Sequence, residues 1–532
     1  MDGAIDAALD NVIGFGDTDV FPFPIEHHIF FDQKDAAKKL LLEIHRDFPK
    51  FLKEFPPINH SLLASAGYTG FRWVTQIDPV WNAYFLALVI SIGDRIEAER
   101  IAVSDATIFS YRFHPDATTH ALFEREIGWP EFHKQSIANA KTSSHVVMCD
   151  ISDFYSRIYH HRLENALDQL HVGNDIPNRI MQLIQHFSNN TSYGLPVGGP
   201  AARLLSELLL NRTDRLLRSH GIKFCRFADD YHLFASSVED AHRALLFLSE
   251  KLLRNEGLSL QKSKTRLLSA KEFISTSEFS DETEHLAANT LEARRFITVS
   301  LRFDPYSPTA VDDYHTLRRE VTKYDIVGML QRELQKTRVH SALTKKLVSA
   351  VKYLELPFKE NVALSLLDNL DVLAPVLPNV MILLKEIFDE LGDRTQRAIC
   401  ASLRAVIVAG SFLMQIELNL SYVLRVLACK RESETEELLV QIYTQTTSSL
   451  IKRDIIAILA RWRLAYWLSD LKGYFYGLGD WEKRAFIVAS YVLGDEGKHW
   501  RTSVKERLTP IEELFRVWAQ SKVSNANFVM PI

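Results

Sequence analysis

The sequence predicts an α+β unit followed by an all-α region of stacked helices. Three observations carry this. Between about 146 and 275, short apolar strands alternate with helical stretches. Beyond about 325 strand signals fade, and apolar residues recur at helical spacing, as in Val339, Leu343, Leu347, Val351 and Leu354. Between the two lies a polar, acidic run from Ser275 to Glu284 that reads as a linker or exposed loop. The expected divisions are an N-terminal arm over 1–30, the α+β unit over 31–275, a linker and further segment over 276–325, and the helical region over 326–532.

The elements follow in order. Residues 21–28, Phe-Pro-Phe-Pro-Ile-Glu-His-His, read as an irregular segment held extended by its prolines. Leu40, Leu41, Ile44, Phe48, Phe51 and Leu52 give an amphipathic helical pattern over 33–56. Residues 81–125 read as helix and then a short extended piece, Thr107 to Phe113. A strand ends at Asp150, helices follow around 160–190 and 200–219, and a hairpin crosses 222–236. A helix over 239–255 and the strand-like Leu258-Ser259-Leu260 complete the unit. In the C-terminal region Gln396-Arg397-Ala398-Ile399, Lys452-Arg453-Asp454-Ile455 and Lys483-Arg484-Ala485-Phe486 each open an apolar helix at irregular separations. Stacked helix pairs of a HEAT-like kind fit best, an ordinary helical bundle being the alternative.

With 532 residues the chain can form several sizeable cores. Apolar residues make up 47% and charged residues 24%, ordinary values for a globular protein. The net charge of −5 means that any nucleic-acid surface is a local basic groove. Cys149, Cys225, Cys400 and Cys429 are scattered without a Cys-x-x-Cys pair, which argues against a zinc site or disulfide framework. No signal-peptide pattern opens the chain, and the longest apolar stretch, Tyr84 to Ile92, is too short to span a bilayer. The expectation is a soluble intracellular protein without a membrane partner.

Four segments carry chemistry. The apolar strand Val146 to Cys149 ends in Asp150, and Phe227-Ala228-Asp229-Asp230 forms a turn between two strands. Carboxylates from two neighbouring strands are what two Mg²⁺ ions need for phosphoryl transfer to a nucleic-acid end. Asp150 and Asp229 are the candidate ligands, with the backbone carbonyl of Ile151 as a further oxygen. Asp230 shapes the turn and its field. Tyr155 is placed as a flat wall beside an incoming sugar, excluding a 2′-hydroxyl by volume. Gly194-Leu195-Pro196-Val197-Gly198-Gly199-Pro200 permits close backbone approach and turns into a helix; Val197 and Gly198 are its candidate substrate contacts. Lys264, in Gln261-Lys262-Ser263-Lys264, offers a cation to a pyrophosphate leaving group.

Taken singly, each of these is commonplace. In this order, over roughly residues 70–275, they resemble motifs A, B, C and D of reverse transcriptases. The resemblance implies a right-hand polymerase with fingers and palm, two Mg²⁺ ions (Mn²⁺ as the alternative), dNTP substrates, a DNA product and in-line attack at the α-phosphorus. A fingers β-hairpin with its Lys/Arg pair is not evident; Arg72 and Arg112 are the available cations, and Ser110-Tyr111-Arg112 resembles a fingers element of bacterial reverse transcriptases. Val197 replaces the glutamine common in the second motif. No Cys/His endonuclease module follows, and some 200 helical residues extend the chain. A reverse-transcriptase core with a helical-repeat C-terminus resembles the abortive-infection, defence-associated bacterial enzymes. That implies cytoplasmic anti-phage DNA synthesis, templated by RNA or untemplated, with a noncoding RNA partner and homo-oligomers. In an untemplated enzyme Glu26, His27 and His28 are candidate template mimics. The basic run 294–302, with Arg318 and Arg319, is a candidate nucleic-acid contact. The alternatives are a retron-type enzyme copying a structured noncoding RNA, and a non-catalytic RNA-binding scaffold.

Overall fold

A computed structural model describes residues 1–173, 175–277, 317–523 and 528–532, with Ala293, Phe296 and Leu301. Apart from Phe296 and Leu301, the basic run 294–302 lies outside the described residues, as does most of the acidic run after Ser275. The chain divides into two compact units: Met1–Ser61, Trp73–Phe279 and Thr509–Leu514 in the first, and Leu62–Arg72, Ser280–Leu508 and Phe515–Ile532 in the second.

The first unit opens with helices α1 (Asp2–Phe15), α2 (Pro24–Asp32), α3 (Lys34–Arg46) and α4 (Phe48–Glu54). Residues 24–32 are therefore helical, not extended. Pro24 stands at the first helical position, where its fixed φ and missing N–H start a helix instead of breaking one. Strands β1 (Asn59–Ser65) and β2 (Phe71–Ile77) form a two-stranded sheet. This hairpin, with Arg72 on its second strand, was not evident in the sequence. Asp78 caps α5 (Pro79–Ser91) by accepting from Val80 N–H, and α5 is buried along almost its whole length. Helix α6 (Gly93–Glu99) follows. The expected extended piece at 107–113 makes only isolated bridges, Ile108 with Arg226 and Phe113 with Phe123.

The centre of this unit is a four-stranded antiparallel sheet. Its strands are β3 (His145–Asp150), β4 (Lys223–Phe227), β5 (Asp230–Ala235) and β6 (Arg266–Ser269), in the order β4-β5-β3-β6. Helix α7 (Trp129–Ala140) precedes β3. Between β3 and β4 run α8 (Phe154–Arg157), α9 (His160–Asp168), α10 (Ile176–Phe187) and α11 (Pro200–Ser219). Helix α12 (Val238–Lys251), capped by the Ser237 hydroxyl, links β5 to β6, and α13 (Ala270–Ser277) closes the unit. The pattern is a split β-α-β-β-α-β sheet, which puts the last strand beside the first and the hairpin on the other flank. The segment 258–260 contributes one bridge, Leu260 with Ile151, whereas β6 was not anticipated.

Side chains alternate across the sheet. Val146, Cys225 and Phe234 join Phe109, Phe132 and Phe273 in one apolar cluster. On the opposite face Val147, Leu233 and Phe224 pair laterally, and Tyr231 and Arg226 reach Asp214 of α11. Cys149 and Cys225 are buried in the sheet, the packing role that their small size suits.

Apart from the hairpin residues Leu62–Arg72, the second unit is helical through its described length. Helices Leu377–Ile387, Glu417–Leu427, Ser449–Arg461 and Asp480–Ala489 pack successively against one another, each skipping an intervening helix. Arg425 and Arg453 both pair with the buried Asp454, tying two of these helices together. The hairpin tip belongs here: Tyr68 donates to the Val372 carbonyl and accepts from Val339 N–H. Among the described residues, no helix is long and apolar enough to cross a membrane.

Candidate active site

The sheet brings together the acids that the sequence singles out. Asp150, the last residue of β3, stands directly opposite Asp230, the first of β5. Asp229 lies in the two-residue turn of the β4–β5 hairpin, and its carbonyl accepts from Ile151 N–H at 3.1 Å. Both strand ends are thus stitched at the level of the acids. Ala228, the other turn residue, has φ +52°, a left-handed conformation that costs a non-glycine residue roughly 1 kcal/mol.

What holds that strained turn is a buried ion network. Arg226, wholly buried on β4, donates to the Ala228 carbonyl at 2.8 Å. Its guanidinium also pairs with Glu207 at 2.8 Å and Asp214 at 2.6 Å, both on α11. Arg100 adds a second cation on Glu207 at 2.6 Å. Burial pushes the Glu207 carboxyl up, but Arg226 and Arg100 outweigh it and hold the group below the usual carboxylate range. A charge buried this deeply is tolerated only with such complete pairing. Arg226, Glu207 and Asp214 escaped the sequence reading. The alternation of β4 marks Arg226 as inward-facing, but nothing local reveals its partners.

Lys264 comes from the loop before β6 and pairs with Asp150 Oδ2. Burial lowers its tendency to hold a proton, and the charges of Asp150, Asp230 and Asp229 more than reverse this. Asp229 is pushed up to about 6, first by burial and then by the charge of Asp150. With two crowded carboxylates and one partly exposed ammonium, the pocket is short of positive charge. Hard oxygen donors with excess negative charge suit a divalent cation of the Mg²⁺ kind. Among the described residues no group of three or more His, Cys, Asp or Glu side chains is placed to hold a metal ion. An ion held at Asp150 and Asp229 would take its further ligands from backbone, water or substrate oxygens.

Tyr155 follows on α8, its hydroxyl hydrogen-bonded to Ser206 and its pKa raised, mainly by burial. The Tyr111 ring lies 6.0 Å from that of Phe227 and tilted 50° to it, its pKa is raised chiefly by burial, and the Arg203 guanidinium lies over the ring at 5.4 Å from its centroid. Tyr111 entered the sequence reading only as part of Ser110-Tyr111-Arg112, and Arg203 was not named there. Arg112 is buried and is taken up by Glu97 and by the Ile101 carbonyl at 3.0 Å, a structural role where a substrate contact was expected. Arg72 is exposed on β2 and belongs to the second unit.

The Gly198 loop is covered by the N-terminal arm, through residues other than those expected. Asp19 N–H donates to the Gly198 carbonyl at 3.1 Å, and Arg203 pairs with Asp19. Gly198 has φ +109°, and a Cβ there would lie 2.9 Å from Thr18 Oγ1, so only glycine fits. Val197 is half-buried beside it and lines a small cavity with Thr18 and Asn82. Glu26 is buried within α2, where its charge helps raise the Asp17 carboxyl to about 7, after burial itself. His27 hydrogen-bonds the Ile13 carbonyl at 3.1 Å, and His28 is exposed on the same helix.

Among the solved structures similar to this chain, two telomerases match over most of its length. One is a Candida albicans telomerase in complex with the TWJ fragment of telomeric RNA: 10% identity, 78% of this chain and 68% of that chain covered, TM-score 0.32. The other is an apo telomerase from Candida tropicalis: 9% identity, 79% and 72% covered, TM-score 0.28. No curated protein matches. Residues 94–299 match the family of reverse transcriptases (RNA-dependent DNA polymerases), a span that contains Asp150, Tyr155, Gly198, Asp229 and Lys264. The chain therefore carries a reverse-transcriptase domain, with a palm- and fingers-like fold followed by many helices, and it is a nucleotidyltransferase.

Proposed function

We propose that this enzyme makes DNA from dNTPs in bacterial anti-phage defence. The observation that carries the catalytic part is the convergence of Asp150, Asp229 and Lys264 at one end of the central sheet. Asp150, Asp229 and the Ile151 carbonyl would hold Mg²⁺, or Mn²⁺ in its place. The bound ions supply charge neutralisation at the phosphates. Asp230, opposite Asp150, adds to the local negative field. Tyr155 walls the sugar and favours deoxynucleotides, and Lys264 moves from Asp150 to the pyrophosphate as substrate enters.

The defence assignment rests on the resemblance of the motif set and on the long helical extension. The successive packing of helices in the second unit supports a HEAT-like platform for a noncoding RNA or for homo-oligomer contacts. Arg318 and Arg319 are its candidate nucleic-acid contacts.

The covering of the Gly198 loop by residues 17–20 supports synthesis without an external template. In a polymerase of this type that loop lies beneath the template base, and here protein occupies its surface. Glu26, His27 and His28, on the helix that follows, are the proposed mimics. Purified protein given single radiolabelled dNTPs, with sequencing of co-purified nucleic acid, tests the reading. Single-nucleotide products that change in Glu26→Ala and His28→Ala variants support an untemplated enzyme guided by the arm. A defined product complementary to a bound RNA supports the retron-type alternative, and absence of synthesis supports the scaffold.

A further inference from the structure

The first turn of α11 carries a cation that neither the metal site nor α2 uses. Arg203 stands three residues after Pro200, directly behind the Gly198 loop. Its guanidinium lies over the Tyr111 ring, 5.4 Å from the centroid, and one of its nitrogens, Nη2, pairs with Asp19 of the N-terminal arm.

Both side chains are fixed by their surroundings, yet neither is used up. Asp19 N–H donates to the Gly198 carbonyl at 3.1 Å, and Asn82 of α5 donates to the Asp17 carbonyl at 2.9 Å, which pins the arm on either side of Thr18. Among the described residues the Arg203 guanidinium makes no hydrogen bond besides that to Asp19 Oδ2, and Asp19 Oδ1 makes none. The Arg203 side chain is 30% exposed and that of Asp19 67%. The pair therefore holds out several N–H donors beside one carboxylate oxygen.

Their position relative to the reacting groups follows from α11. Ser206 lies one turn beyond Arg203, donates to the Arg203 carbonyl at 2.8 Å and is hydrogen-bonded to the Tyr155 hydroxyl. Residues three apart on a helix are neighbours, a step comparable with that from a sugar ring to its base. With the sugar against Tyr155, the base falls at the level of Arg203. Asp229 belongs to the same surroundings: after burial, the charges that act on the Tyr111 hydroxyl are those of Arg203, Glu207, Asp229 and Asp19.

We infer that Arg203 and Asp19 together select cytosine, so that dCTP is the nucleotide this site takes. Two N–H groups of Arg203 donate to cytosine O2 and N3, and the Asp19 carboxylate accepts from its 4-amino group. Two adjacent donors beside an acceptor are what a pairing guanine offers. Along its pairing edge cytosine alone among the four bases presents two adjacent acceptors beside a donor. Thymine would set its N3–H against an Arg203 N–H. The inference rests on the polymerase reading and on synthesis without an external template, and it adds the base and the pair that reads it.

The test uses full-length, nuclease-treated protein with Mg²⁺ and each dNTP, singly and in competition. The wild type should use dCTP at least about tenfold more efficiently than dTTP in kcat/KM. Arg203→Lys keeps a cation beside Asp19 and Tyr111 but loses the fork, and Asp19→Ala loses the acceptor; each should lower that ratio at least about fivefold. The 2-pyrimidinone deoxynucleoside triphosphate keeps O2 and N3 but lacks the amino group. It should be a poorer substrate than dCTP for the wild type and its equal for Asp19→Ala. Incorporation without a preference for dCTP over dTTP overturns the proposal. So does a ratio that Arg203→Lys leaves intact while all rates fall together, since the pair would then only hold the arm. Both results leave the polymerase reading standing, whereas a wild type that incorporates no dNTP removes that reading and this proposal together.

Discussion

Arg226 donates to the carbonyl of Ala228, two residues ahead of it, at 2.8 Å. One buried guanidinium thus grips the turn that carries Asp229 while pairing with Glu207 and Asp214 behind it. A turn in a costly conformation is held in register by the same charge that anchors the strand to α11.

Arg226 should therefore matter twice. Arg226→Met leaves Glu207 and Asp214 short of a cation and is expected to destabilise the first unit by about 3–5 kcal/mol. Arg226→Lys keeps a charge but loses the fork to Ala228. It should fold, with a smaller loss of melting temperature, and lose roughly 10²-fold in kcat through misplacement of Asp229. Thermal melts and steady-state incorporation separate the two effects; an Arg226→Lys enzyme of normal kcat would refute the positioning role.

Asp229→Ala should abolish incorporation yet stabilise the metal-free protein. The Asp229 pKa is raised to about 6, so the stability linked to its protonated form is full below its unfolded value near 4 and is lost as pH rises through about 6. At pH 8 the wild type bears that whole cost, and the alanine variant is expected to gain about 1–3 kcal/mol in EDTA. Residual synthesis, or a lowered melting temperature at pH 8, contradicts this. Lys264→Ala should slow incorporation by roughly 10²-fold without changing which nucleotide is chosen.

Tyr155→Val removes the proposed wall beside the sugar. The ratio of ribonucleotide to deoxynucleotide incorporation should rise at least about tenfold, since discrimination by volume is lost with the ring. Competition assays with paired rNTP and dNTP measure it. An unchanged ratio shows that the sugar is read elsewhere.

His232 makes the first unit acid-sensitive. It is buried on β5, its ring 4.5 Å from that of Phe132 and its Nδ1 hydrogen-bonded to Ser136 Oγ at 2.9 Å. Burial, and then the charge of His133, push its pKa down to about 3. The unfolded residue titrates near 6.5, so the unfolded chain takes up a proton that the folded one refuses. Stability from this group is full above 6.5 and falls as pH drops toward 3, by roughly 2 kcal/mol between pH 7 and 5. His232→Phe should show a smaller fall in melting temperature over that interval than the wild type; equal falls exclude His232 as the cause.

The sequence by itself determined the strand that ends at Asp150, the hairpin over 222–236, the helices between them, the position of Asp150 and Asp229 at strand ends, and the helical character beyond 325. These are local signals: apolar runs, turn residues and periodicity within a few positions. It misjudged residues 24–28, because a proline that opens a helix looks the same as one that holds a chain extended. Nor did it show the hairpin over 59–77, whose strands are only partly buried and lack a clear apolar alternation. Tertiary structure alone decided which charges meet. Arg112 turned inward to Glu97, Lys264 came back 114 residues to Asp150, and Arg226 found Glu207 and Asp214 on α11. Such pairings arise when distant segments are packed together and a buried charge must find a partner there, a demand that spacing along the chain does not record.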